Sequence, residues 1–169
     1  YLNKIIPVCE ENDVNMAIHA DDPPWDLFGL PRIISNERDL DKLFEAVPSK
    51  RNGLTLCTGS FGAGKFNNLV NMAEKYSKQG RVHFVHLRNI RHTGESSFAE
   101  SAHLSVCGSL DMYAIVKALV SGGFNGYVRP DHGRYIWGEE GKPGYGLYDR
   151  ALGATYLTGL FEAAEKENK

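Results

Sequence analysis

The chain has 169 residues, 42% of them apolar and 24% charged, with a net charge of −2. That length supports one globular domain with a sizeable core, and the composition excludes an intrinsically disordered chain. The near-neutral charge provides no electrostatic footprint for nucleic acid or an anionic membrane, and no apolar run approaches the roughly 18 residues of a membrane span. Cys9, Cys57 and Cys107 are odd in number and far apart. That argues against a disulfide framework and fits a reducing cytoplasm.

In chain order, residues 1–12 read as the tail of a helix. Val14 to Ile18 reads as a strand ending at His19, followed by a Pro-rich loop from Asp21 to Pro31. Glu37 to Val47 is helical by the spacing of Leu40, Leu43, Phe44 and Val47. Gly53 to Cys57 is a second strand, and a Gly-rich loop (GSFGAGKFN) leads to a helix near Leu69 to Tyr76. Arg81 to Leu87 is a third strand, followed by a long polar loop to about Ser109. Leu110 to Val120 is a helix with Met112, Ile115, Val116 and Leu119 on one face. Tyr127 to Arg129 starts a fourth strand, Gly138 to Gly146 is a second Gly-rich loop, and Asp149 to Glu165 is a final helix. Alternating strands and helices predict a parallel sheet with crossover helices.

Four candidate metal ligands stand at the four strand ends: His19, Cys57, His86 and Asp131. Taken singly, each has an ordinary structural explanation as a core histidine, a small buried hydrophobe or a turn cap. Repetition about one βα unit apart is the informative feature. It matches a (β/α)8 TIM barrel, in which the C-terminal strand ends converge on one active site. Two imidazoles, a thiolate and a carboxylate form a divalent first shell. The soft thiolate disfavours Mg²⁺ and Ca²⁺ and leaves Mn²⁺, Fe²⁺, Co²⁺ and Zn²⁺ open. The chain begins at Tyr1, and four parallel strands cannot close a barrel. The expectation is the C-terminal half of a longer TIM-barrel protein, residues 1–169 forming about four βα units of one catalytic domain.

Residues 59–66 nearly spell a phosphate-binding P-loop, but Phe66 stands where a Mg²⁺-binding hydroxyl is required. An active-site loop is the better reading. Arg88 shares a strand face with His86, which suits an acidic substrate. His132 follows Asp131 and suits general acid–base work. Arg129 is two residues before Asp131, and Tyr145 is a candidate proton donor between glycines. His103 and the pair Asp21 and Asp22 are weaker candidates. The long loop holding His103 could fold over the site. A metal-dependent sugar isomerase or epimerase is the competing enzyme class, against which Cys57 speaks. A structural metal domain is disfavoured by the wide ligand spacing.

The segments IHADDPP, GLPRI, GLTLCTGS, FVHLRN, AHLSVCGSLDMY, YVRPDHG and PGYGLYDRALGATYL occur in order. From about Met16 to Gly159 the chain resembles the mannonate dehydratase family of the UxuA type. It departs from the family in small ways, with Ala20 where Pro is usual, and in lacking the N-terminal half. The resemblance implies a TIM barrel related to xylose isomerase-like enzymes. It implies a hydro-lyase that converts D-mannonate to 2-dehydro-3-deoxy-D-gluconate in hexuronate (glucuronate) breakdown. The metal would be Mn²⁺, with Fe²⁺ the alternative, and the assembly a cytoplasmic homodimer acting on a small sugar acid. It implies that His19, Cys57, His86 and Asp131 are metal ligands and that His132 and Tyr145 transfer protons. Arg88 and His103 would match substrate-pocket positions, and Arg129, by its place two residues before Asp131, is the further substrate-binding candidate.

Overall fold

The computed structural model describes residues 1–169. Helix α1 (Leu2–Glu11) precedes β1 (Met16–His19), and α2 (Glu37–Ala46) precedes β2 (Asn52–Cys57). Two helices follow, α3 (Thr58–Ala63) and α4 (Leu69–Lys78), then β3 (Val82–His86). A hairpin of β4 (Ile90–Gly94) and β5 (Ser97–Glu100) and a 3-10 turn (Ser105–Cys107) lead to α5 (Met112–Ser121). Finally come β6 (Tyr127–Arg129) and α6 (Leu147–Glu167). Strands β1, β2, β3 and β6 form one parallel sheet in that spatial order. The architecture is α/β, as the alternating pattern predicts.

Side chains alternate across a strand, so register decides what faces what. Ile18 is beside Leu54, Leu56 beside Val85, and Val85 beside Val128. This row packs into the core with Met72, Tyr76, Ile115 and Leu119 of the helices. The other row contains His19 beside Thr55, Cys57 beside His86, and His86 beside Arg129. One-residue alternation therefore sends aliphatic side chains to the helices and ligand-type side chains to the opposite face. Leu56 is fully buried, so Leu56→Ala is expected to cost about 3 kcal/mol by leaving a cavity. A fall in the urea midpoint at unchanged slope would report it.

Three helices begin on Asn or Asp side-chain caps. Asn36 accepts from the Asp39 N–H, Asn68 from Asn71 and Asp111 from Ala114. Each cap satisfies an otherwise unpaired amide and contributes about 1 kcal/mol.

Two segments differ from the sequence expectation. The first Gly-rich stretch is partly helical, over Thr58–Ala63. Its glycines serve close packing: a Cβ on Gly59 would lie 2.7 Å from the Arg88 side chain. The long polar segment after β3 contains the antiparallel β4–β5 hairpin, with Ile90 opposite Glu100 and His92 opposite Phe98. Its strands carry few apolar residues, so alternation was too weak to mark them.

Candidate metal centre

His19, Cys57 and His86 end β1, β2 and β3, and their ligand atoms all lie within 4.8 Å of one another. Asp131 follows β6 after Pro130, with Oδ2 3.8 Å from Cys57 Sγ and Oδ1 3.6 Å from His86 Nδ1. Asp131 has φ of +62°, a left-handed conformation that Asp tolerates better than most residues. Four adjacent parallel strands thus bring all four expected ligands to one edge of the sheet.

The surrounding contacts leave donor atoms of these groups free. His19 Nδ1 is 2.7 Å from the Ala20 carbonyl. A carbonyl only accepts, so Nδ1 carries the proton and Nε2 offers its lone pair. His86 Nδ1 is buried without a hydrogen-bond partner, as suits a nitrogen reserved for a metal. Cys57 is fully buried, and its Sγ lies 3.1 Å from Ser60 Oγ. The donor set of two imidazoles, a thiol sulfur and a carboxylate fits a divalent transition ion.

Beside the cluster, Arg129 Nη2 donates to Asp131 Oδ1 at 2.8 Å while its side chain stays about two-fifths exposed, 42%. Arg88 is deeply buried. It donates through Nη1 to Asp22 Oδ2 at 2.8 Å, through Nη2 to Glu100 Oε1 at 2.9 Å and through Nε to Glu100 Oε2 at 3.1 Å. Burial works against its charge, but Glu100 and Asp22 outweigh that and hold its pKa above the ordinary value. His132 Nδ1 lies 2.8 Å from Glu100 Oε1. Burial pushes the Glu100 carboxyl up, yet His132 and Arg88 bring it below the usual range.

Tyr145 is half-exposed, with its ring 6.2 Å from that of His132. Its loop is held to the strand end by Gly133 N–H to the Gly144 carbonyl and Gly146 N–H to the Gly133 carbonyl, both 3.0 Å. Asp21 is turned away from the cluster and accepts from the Ile33 and Ile34 amides, ordering the Pro-rich loop.

His103 departs from the expected pocket position. It is 2% exposed, and its Nε2 donates to the Pro130 carbonyl at 2.7 Å. It packs under Gly153 of α6, where a Cβ would come within 2.3 Å of Nδ1. The residue braces the backbone just before Asp131 and does not open onto the cluster. Arg88 is buried and paired with Asp22 and Glu100, with Nη1 4.0 Å from Asp131 Oδ2. Glu100 is the site residue that sequence reasoning missed. Only the hairpin brings it to His132, 32 residues away in the chain.

Asp149 anchors the far side of the same loop. Its carboxylate accepts from the Arg134 amide at 2.8 Å and from Arg134 Nε at 2.9 Å. Burial raises its pKa, but the bonds from Arg134 outweigh burial and leave it lowered from 3.8. A lowered folded pKa contributes stability above the unfolded pKa, lost as pH falls through the folded value. Stability is therefore expected to drop below about pH 4. Asp149→Asn should make that drop shallower, as urea midpoints across pH would show.

No helix is long and apolar enough to cross a membrane. The family model for D-mannonate dehydratase (UxuA) matches residues 1–169. The chain is 58% identical over 166 residues to a mannonate dehydratase of Thermotoga neapolitana, covering 98% of this chain and 46% of that protein. It is 53% identical over 171 residues to that of Lactococcus lactis subsp. lactis, covering 100% and 48%. The crystal structure of mannonate dehydratase from Streptococcus suis serotype 2 superposes with a TM-score of 0.95 at 47% identity, over 99% of this chain and 48% of that one. The zinc-bound IOLI protein shares the fold at a TM-score of 0.58 and 13% identity, over 96% of this chain and 51% of that one. The chain spans about half the length of the curated relatives it matches. On this match along its whole length, the chain belongs to the D-mannonate dehydratase (UxuA) family.

Proposed function

We propose that this chain carries the cation site and the proton-transfer groups of a mannonate dehydratase, a hydro-lyase of hexuronate breakdown. The enzyme removes water from D-mannonate to give 2-dehydro-3-deoxy-D-gluconate. The observation that carries this reading is the convergence of His19, Cys57, His86 and Asp131 within a chain of this family. The four strands belong to a TIM barrel of which residues 1–169 are the C-terminal half. The free edges of β1 and β6, each paired on one side only, support that architecture. The working assembly is a homodimer in the cytoplasm, where three unpaired cysteines are stable.

His19, Cys57, His86 and Asp131 would hold Mn²⁺, with Fe²⁺ as the alternative. The bound cation supplies a Lewis acid for charge that builds when the proton beside a carboxylate is removed. Arg129 is the side chain we assign to the substrate carboxylate, because it is partly exposed whereas Arg88 is buried against Asp22 and Glu100. His132 and Tyr145 share the two proton transfers: one takes the proton from C2, and the other protonates the hydroxyl leaving C3.

Product identity tests this reading against a sugar isomerase on the same barrel. The full-length protein incubated with D-mannonate and Mn²⁺ is expected to form a keto-deoxy acid with loss of water. An isomeric product of unchanged mass would overturn the dehydratase reading.

A further inference from the structure

Glu100 lies outside every sequence motif of the site, yet it joins the cation cluster's neighbours into one network. It ends β5, and its carboxylate takes two bonds from Arg88, at 2.9 and 3.1 Å, and one from His132 Nδ1 at 2.8 Å. Arg88 is itself fixed. Its N–H donates to Thr58 Oγ1 at 2.9 Å, that hydroxyl donates back to the Arg88 carbonyl at 2.7 Å, and Nη1 binds Asp22 at 2.8 Å.

A guanidinium is a donor only and stays charged in proteins. A carboxylate receiving its fork is therefore an ionised acceptor with no proton to give. That leaves His132 one role toward Glu100: Nδ1 carries the hydrogen and donates it. In the neutral ring the lone pair is then on Nε2. Nε2 is also the nitrogen on the cation side, 3.9 Å from Asp131 Oδ2.

We infer that Glu100 is a positioning residue: clamped by Arg88, it fixes His132 in the Nδ1–H tautomer and so presents an accepting Nε2 to the space beside Asp131. The kinetic consequence rests on the dehydratase reading, whereas the tautomer does not. Arg88 then serves the site indirectly, as the part that makes Glu100 rigid and acceptor-only.

Two measurements test the inference. The first is a long-range ¹H–¹⁵N correlation spectrum of the histidine side chains in the metal-free full-length protein, with His132 assigned by its loss in His132→Gln. A protonated Nδ1 and a lone-pair-type Nε2 are expected. The reverse tautomer would overturn the inference, whatever the protein's substrate. The second is a kinetic cycle with D-mannonate. Glu100→Ala is expected to lower kcat by at least about 10-fold, a part of the roughly 10²–10⁴-fold that a positioned acid or base supplies, with KM within about twofold and Mn²⁺ content unchanged. In a His132→Gln background the same substitution is expected to add nothing. Losses that multiply would show that Glu100 acts independently of His132 and would overturn the positioning role. If Glu100→Ala fails to fold, Glu100→Met keeps most of the side-chain bulk, offers His132 no carboxylate or amide oxygen, and carries the same cycle.

Discussion

Replacing His86 by Ala is expected to empty the cation site and abolish turnover. His86 is central to the cluster: it ends β3, is beside Cys57 in register, and faces Asp131 at 3.6 Å. Its buried Nδ1 has no hydrogen-bond partner within the chain, so a cation bound there would offset the desolvation of that nitrogen. The fold has little to lose, because the ring lies on the face of the sheet opposite the aliphatic core. Removing even an outer partner of a metal ligand costs about 10–100-fold in affinity, so loss of the imidazole itself should exceed roughly 100-fold. Equilibrium dialysis with Mn²⁺ on wild type and His86→Ala, with melting curves as a control for folding, measures the effect. Retained stoichiometric Mn²⁺ would remove His86 from the first shell.

Tyr145→Phe is expected to separate chemistry from metal binding. The substitution deletes one hydroxyl and preserves the ring that faces His132 at 6.2 Å. The supporting contacts, the Gly133 and Gly146 backbone bonds, do not involve that hydroxyl. If the phenol transfers a proton in the elimination, its loss should reduce kcat by about 10²–10⁴-fold, the usual range for a positioned acid or base. Mn²⁺ content should not change. Unchanged turnover would assign both proton transfers to other groups, with His132 the first candidate.

The four strand-end side chains were legible because two simple periodicities coincide there. Alternation places successive residues on opposite faces, and the βα repeat returns the chain to the same sheet edge every few tens of residues. Any ligand-type residue at the end of such a strand lands near the others. Asp131 follows the same rule through the turn after β6, with help from its left-handed backbone. The α3 segment was illegible for a different reason. Its glycines look like turn signals, but Gly59 is small because the Arg88 side chain runs past it.

Glu100 and His103 show the deeper limit. Both lie in a polar stretch with no strong period, and their partners are distant in sequence: His132 for Glu100, and the Pro130 carbonyl for His103. Chemistry suggested a pocket position for His103, whereas packing under Gly153 makes it a brace. Arg88 was legible as a site residue through its strand face. Its pairing with Asp22 and Glu100 depends on a loop and a hairpin that only the folded chain brings together.

The most direct test of the cation-dependent dehydration is turnover of D-mannonate by the full-length protein, first stripped of metal and then resupplied with Mn²⁺. The expected result is no product from the stripped protein and formation of the keto-deoxy acid once Mn²⁺ is restored. Equal turnover before and after, or no product from a folded, Mn²⁺-loaded protein, would contradict the assignment of His19, Cys57, His86 and Asp131 to this reaction.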